Sequence, residues 1–131
     1  MRWFDVKKTM ILVDLYTENY IGELEAVLVE RNWSDQIIYE LKLFQADFNS
    51  IVDWIPYNET SHSENPVRIL NLDLKWGADF SQVTRLQEFY DQLVMIENDY
   101  NSEDAEVYHA IKDICWSTLQ HNNRLFIKIN S

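Results

Sequence analysis

SDQIIYELKLFQADFNSIVDWI, residues 34–55, places Ile37, Leu41, Phe44, Phe48, Ile51 and Ile55 at successive steps of 4, 3, 4, 3 and 4. That spacing keeps apolar side chains on one face of an α-helix. Ser34 suits an N-cap, and Pro56 cannot continue the helix. The spacing therefore predicts an amphipathic helix over most of this stretch. Downstream, PYNETSHSENP, residues 56–66, is a proline-bracketed polar loop of the kind that carries binding residues.

Beyond the loop the period changes. In VRILNLDLKW, residues 67–76, Leu70, Leu72, Leu74 and Trp76 alternate with Asn71, Asp73 and Lys75, the pattern of a half-buried strand that Gly77 ends. From Asp79 a helical spacing returns through Phe80, Val83, Leu86, Tyr90 and Leu93. A last helix is expected from about Ser102 to Gln120, burying Val107, Ile111, Ile114 or Cys115, and Leu119. His121, Asn122 and Asn123 stop it, and LFIKI, residues 125–129, alternates as a C-terminal strand. Upstream, TMILVDLY, residues 9–16, reads equally as a strand or as the first turns of a helix. Ile21, Leu24, Val27 and Leu28 give the following stretch a helical spacing. The whole predicts a mainly helical α+β domain over residues 1–131, with about four amphipathic helices and two or three short strands.

Composition supports one folded unit. A chain of 131 residues with 47% hydrophobic and 14% aromatic content can bury a core without staples. Only two glycines and two prolines interrupt it, which favours helices. The formal charge is −11, from 22 acidic and 11 basic residues. Gripping a nucleic-acid backbone or an anionic membrane needs clustered Lys and Arg, so neither is expected as a partner. A basic protein partner, or solubility alone, fits that charge. The single cysteine, Cys115, permits no intramolecular disulfide and suits a reducing cytoplasm. The longest apolar runs, Met10–Val13 among them, are far short of a membrane span.

Chemistry is sparse. Cys115, His109 and Asp113 are the one set that hints at a nucleophile, yet Cys115 stands about 120° around the helix from His109 at 100° per residue. Cys115 falls instead four residues after Ile111, on the apolar stripe, where a buried thiol is inert. His62, His109 and His121 lack metal-ligand spacing, and no glycine-rich phosphate loop is present. Neither an enzyme nor a cofactor or metal is expected.

The acids are distributed unusually. Glu88, Asp91, Glu97, Asp99, Glu103, Asp104 and Glu106 stand between Arg85 and Lys112 with no Lys or Arg among them. The same holds for Asp14, Glu18, Glu23, Glu25 and Glu30 between Lys8 and Arg31, and for Asp47, Asp53, Glu59 and Glu64 between Lys42 and Arg68. One account is a solvated surface, with Glu103, Asp104 and Glu106 favouring the positive end of the last helix. The other is a surface for a basic partner, since steering raises association rates by about 10–10³ at low salt. Affinity then needs aromatic anchors. The candidate partner-binding residues are Glu97, Asp99, Tyr100, Glu103, Asp104 and Glu106, with Asp53, Trp54, Tyr57 and Glu59 at the mouth of the polar loop. Trp33, beside Ser34, is a further aromatic at an expected helix junction.

In size, acidity and stretches such as DWIPYNE, residues 53–59, and ENDYNSEDAE, residues 97–106, the chain resembles the immunity proteins of bacterial toxin systems. The resemblance is to those that neutralise nuclease toxins of the contact-dependent growth inhibition or colicin type. It implies a cytoplasmic, stoichiometric inhibitor of a cognate toxin. A phage-type nucleic-acid mimic that blocks a defence enzyme shares the same physics, and an acidic, non-catalytic adaptor subunit is the alternative from another class.

Overall fold

The computed structural model describes residues 10–15, 24–53, 80–97 and 105–129. It is an α+β fold with more sheet than the sequence predicts. The strands are β1 (Ile11–Asp14), β2 (Glu25–Arg31), β3 (Ile37–Phe44), β4 (Ser81–Gln82) and β5 (Arg124–Ile129). The helices are α1 (Gln45–Asp53), α2 (Leu86–Met95) and α3 (Ala105–Gln120). The strands form one sheet in the order β1-β3-β2-β5-β4; β1 runs parallel to β3 and the other pairs are antiparallel.

The helix expected over 34–55 is replaced by β3 followed directly by α1. Tyr39, Leu41 and Leu43 are buried while Glu40 and Lys42 between them are half-buried, a period of two. Leu41 belongs to both periods, and the run Ile37–Tyr39 is rich in strand-favouring residues. The second half of the expectation holds as far as Asp53: Phe48 and Ile51 are buried on α1 together with Gln45 and Val52, and Ile55 lies outside the described residues. The helical spacing read through Leu24, Val27 and Leu28 is likewise corrected, because β2 is the sheet's centre. Ala26, Val27, Leu28 and Val29 are all buried there, and a continuous apolar run covered on both faces has no period to read. Ile11–Asp14 resolves the upstream ambiguity as an edge strand. Residues 80–97 begin with the short β4, so α2 starts at Leu86 rather than near Asp79. The strand expected over 67–76 lies outside the described residues. The last helix and the C-terminal strand stand close to where the sequence puts them.

Register builds the core. Leu41, Leu28 and Ile127 lie side by side across three strands, and each is at most 1% exposed. Burying each such side chain stabilises the fold by about 1.5–3 kcal/mol. α3 crosses β2, β3 and β5 on this face, with α1 and α2 packed beside it. Its buried residues Val107, Ile111, Ile114 and Cys115 meet the sheet's leucines and isoleucines in one cluster. The Tyr108 hydroxyl donates to the carbonyl of Leu93 and ties α3 to α2.

Candidate interaction surface

The core contains one carboxylate that the sequence reading leaves on a solvated helix. Glu30, fully buried on β2, faces the same side as Leu28 and stands between Tyr39 and Leu125 in register. A carboxylate there must be met by donors. Ser117 Oγ donates to Glu30 Oε1 at 2.5 Å, and Asn123 Nδ2 donates to Oε2 at 2.7 Å. His121 Nδ1 lies 3.3 Å from both Glu30 Oε2 and Ser117 Oγ. These donors come from the end of α3 and the turn into β5, so Glu30 rivets that turn to the sheet.

Serine, histidine and glutamate together invite a catalytic reading, and the geometry opposes it. In a nucleophilic triad the two ring nitrogens serve different partners, one the hydroxyl and the other the acid. Here the same Nδ1 faces both, and the serine proton is committed to the carboxylate. The set is structural. Cys115 is buried as expected, and burial pushes its thiol far above the ordinary range. His109 and Asp113 are exposed on α3 while Cys115 points into the core, so the three do not converge. Among the described residues no group of His, Cys, Asp and Glu is placed to hold a metal ion, and no helix is long and apolar enough to cross a membrane.

The riveted turn has a second task. Asn123 N donates to Thr118 O and Asn122 N to Leu119 O, the paired bonds of a Schellman cap, with Asn122 at φ 55° as the left-handed residue. The exposed carbonyl of Asn122 then accepts from Trp33 Nε1 at 2.7 Å. Trp33 lies in the turn between β2 and β3, not at a helix junction. Asn32 builds that turn: its Oδ1 accepts from Ser34 N and Gln36 N, both at 2.9 Å, and Asp35 closes it at φ 63°. Arg124 Nη2 binds Asp35 Oδ1 at 2.6 Å and Asn32 O at 3.0 Å, while its guanidinium stands 4.6 Å from the Trp33 ring centre. Trp33 is nevertheless 72% exposed. It is an indole held by a hydrogen bond and a cation, with most of its surface left to solvent.

Beside it lies a cleft of about 480 Å³, with Thr84, Gln87, Leu119, Asn122 and Arg124 among its lining residues. No Asp or Glu is among the described residues that line it. The sequence singles out Trp33 as an aromatic at a junction; its fixing by Asn122 and Arg124, some ninety residues away, has no local signal.

The acidic candidates are only partly placed. Asp99, Tyr100, Glu103, Asp104, Trp54, Tyr57 and Glu59 lie outside the described residues. Glu106 is exposed in the first turn of α3, where it complements the helix dipole, and Asp53 is exposed at the last residue of α1. Glu97 is half-buried and bound to Lys112 at 3.1 Å. Glu88 is bound by Arg85, and Asp91 accepts from Gln87 Nε2 at 2.9 Å. The stretch that looks base-free in sequence is thus partly neutralised in space by the two bases that bound it, Arg85 one turn along α2 and Lys112 because α3 packs against α2.

No protein-family model matches the chain, and neither curated proteins nor solved structures give a significant match.

Proposed function

We propose that this chain is an acidic, protein-binding inhibitor of the immunity type, which neutralises a cognate toxin, of the nuclease class, by forming a stoichiometric complex in the cytoplasm. The observation that carries the reading is Trp33, 72% exposed yet fixed in a chain of charge −11. Exposed tryptophans that are already ordered lose little entropy on binding and dominate interface energies. The net negative charge of the chain speeds encounter with a basic partner, and the indole supplies the slow step of release. The partner is a basic protein domain; no nucleic acid, membrane or cofactor enters the mechanism.

The test is to isolate the partner on the tagged chain and to compare wild type with Trp33→Ala. The variant should keep its fold, since the indole is largely solvated, and should release the partner at least about tenfold faster. Equal release rates would remove Trp33 from the interface and with it the support for this reading.

A further inference from the structure

The described charges are distributed unevenly between the layers of the fold. The helical layer, with the turns at Arg85 and Glu97, carries Asp47, Asp53, Glu88, Asp91, Glu97, Glu106 and Asp113 against Arg85 and Lys112. The strands carry Asp14, Glu25, Glu30 and Glu40 alongside Arg31, Lys42, Arg124 and Lys128, so their charges balance, with Lys42 and Lys128 flanking Val27 in register on the face opposite the Leu28 row. Arg31 stands 5.8 Å from the Phe80 ring and 5.5 Å from Phe126, and Lys128 stands 5.9 Å from Phe80. Arg124 lies over Trp33 and binds Asp35, and Lys42 stands 3.9 Å from Glu40, so these cations are engaged by rings and acids of the sheet and its turns.

On the outer side of that acidic layer sits an aromatic pair. Tyr90 of α2 and Trp116 of α3 meet with ring centres 5.8 Å apart, and Trp116 is 51% exposed. Val94, one turn after Tyr90 and 42% exposed, extends the apolar strip along α2. Exposed Asp91, three residues before Val94, and Asp113, three before Trp116, border the strip, while Lys112, four before Trp116, is paired with Glu97. The strip also reaches the Trp33 cleft: Gln87 and Leu119 line the cleft, and each lies three residues from one member of the aromatic pair.

We infer that the Tyr90–Val94–Trp116 strip is a docking surface for a cationic segment of a partner protein, one that places an apolar side chain against Trp116 and Lys or Arg beside Asp91 and Asp113. Charge selects this occupant. A second copy of the chain would bring the same carboxylates face to face, and like charges across an interface oppose association. The proposal deepens the inhibitor reading and rests on it only for the partner's role.

The test uses the full chain and a synthetic amphipathic helical peptide whose leucine stripe is flanked by lysines, with its glutamate-for-lysine counterpart as control. Binding is followed by backbone amide shifts and by titration at low and high salt. The lysine peptide should shift amides around Tyr90, Val94 and Trp116, bind more weakly as salt rises, and outcompete the glutamate peptide. Trp116→Ala should weaken it at least about tenfold, and Asp91→Lys with Asp113→Lys should remove the salt dependence while circular dichroism stays native. Shifts centred elsewhere, equal binding of the glutamate peptide, or an unchanged Trp116→Ala would overturn the docking surface. So would concentration-dependent self-association of the unliganded chain through this strip. If the peptide binds as described but no inhibited partner is captured, the inhibitor reading fails while the surface stands.

Discussion

Replacing Glu30 by alanine tests how the core positions the surface. The change removes the acceptor of a Ser117 bond at 2.5 Å and an Asn123 bond at 2.7 Å. Hydrogen bonds to a charged group contribute about 1.5–3 kcal/mol each, and losing the acceptor strands two donors beside the core. Against this, the variant no longer buries a carboxylate, which returns part of the cost. The net loss should be about 3–4 kcal/mol, a large share of the roughly 5–15 kcal/mol that stabilises a domain. At about 4 °C per kcal/mol, the midpoint of thermal unfolding should fall by about 12–16 °C. Glu30→Gln keeps one acceptor oxygen and should lose about half as much. Denaturant unfolding followed by far-ultraviolet circular dichroism gives the stability, and the indole N–H resonance of Trp33, assigned by its loss in Trp33→Phe, reports the anchor at Asn122 in the riveted turn. A loss below about 1 kcal/mol for Glu30→Ala would refute the claim that this carboxylate holds the turn in place.

Three further outcomes follow from the same packing. Burial first, then the charges of Asp113 and Glu30, raise the Tyr39 phenol above its ordinary 10.0, so the unfolded chain ionises before the folded one. Stability is therefore full below pH 10.0 and is lost as pH rises beyond it; Tyr39→Phe should flatten that alkaline loss in unfolding curves taken across the range. Cys115 should ignore a thiol-reactive dye in the native protein and react promptly in denaturant, and fast native labelling would contradict its burial. Asn122→Gly should raise stability by about 0.5–1 kcal/mol, because glycine accepts the left-handed cap without cost and the carbonyl that holds Trp33 is retained.

The parts of the fold that could be read from sequence are those where one period stands alone. In α3, Val107, Ile111, Ile114 and Cys115 repeat at helical spacing, and the His121–Asn123 stop is the Schellman turn. The misread parts are those where two periods coincide or neither exists. Ile37, Leu41 and Phe44 suit a helix, but β3 turns Tyr39, Leu41 and Leu43 to the core, and the chain passes from strand to helix at Gln45 with no glycine or proline to mark it. β2 is buried on both sides and shows no period at all. Glu30 was invisible for the same reason: among Asp14, Glu25 and Glu30 nothing local separates the buried acid from its neighbours, since its partners Ser117, His121 and Asn123 lie about ninety residues away. The charge asymmetry is legible in sequence as stretches without Lys or Arg, but only the fold shows Glu97 meeting Lys112 and four bases sharing the sheet with Asp14, Glu25, Glu30 and Glu40.

The central claim, that this chain acts by holding a basic partner, is tested most directly by capture. The tagged chain is recovered from the cells that make it, washed at low and high salt, and its partners are weighed and identified. The account predicts one stoichiometric basic protein whose association slows as salt rises and whose own activity is suppressed in the complex. The absence of any stoichiometric partner at either salt, or a partner bound equally well at both, would contradict it.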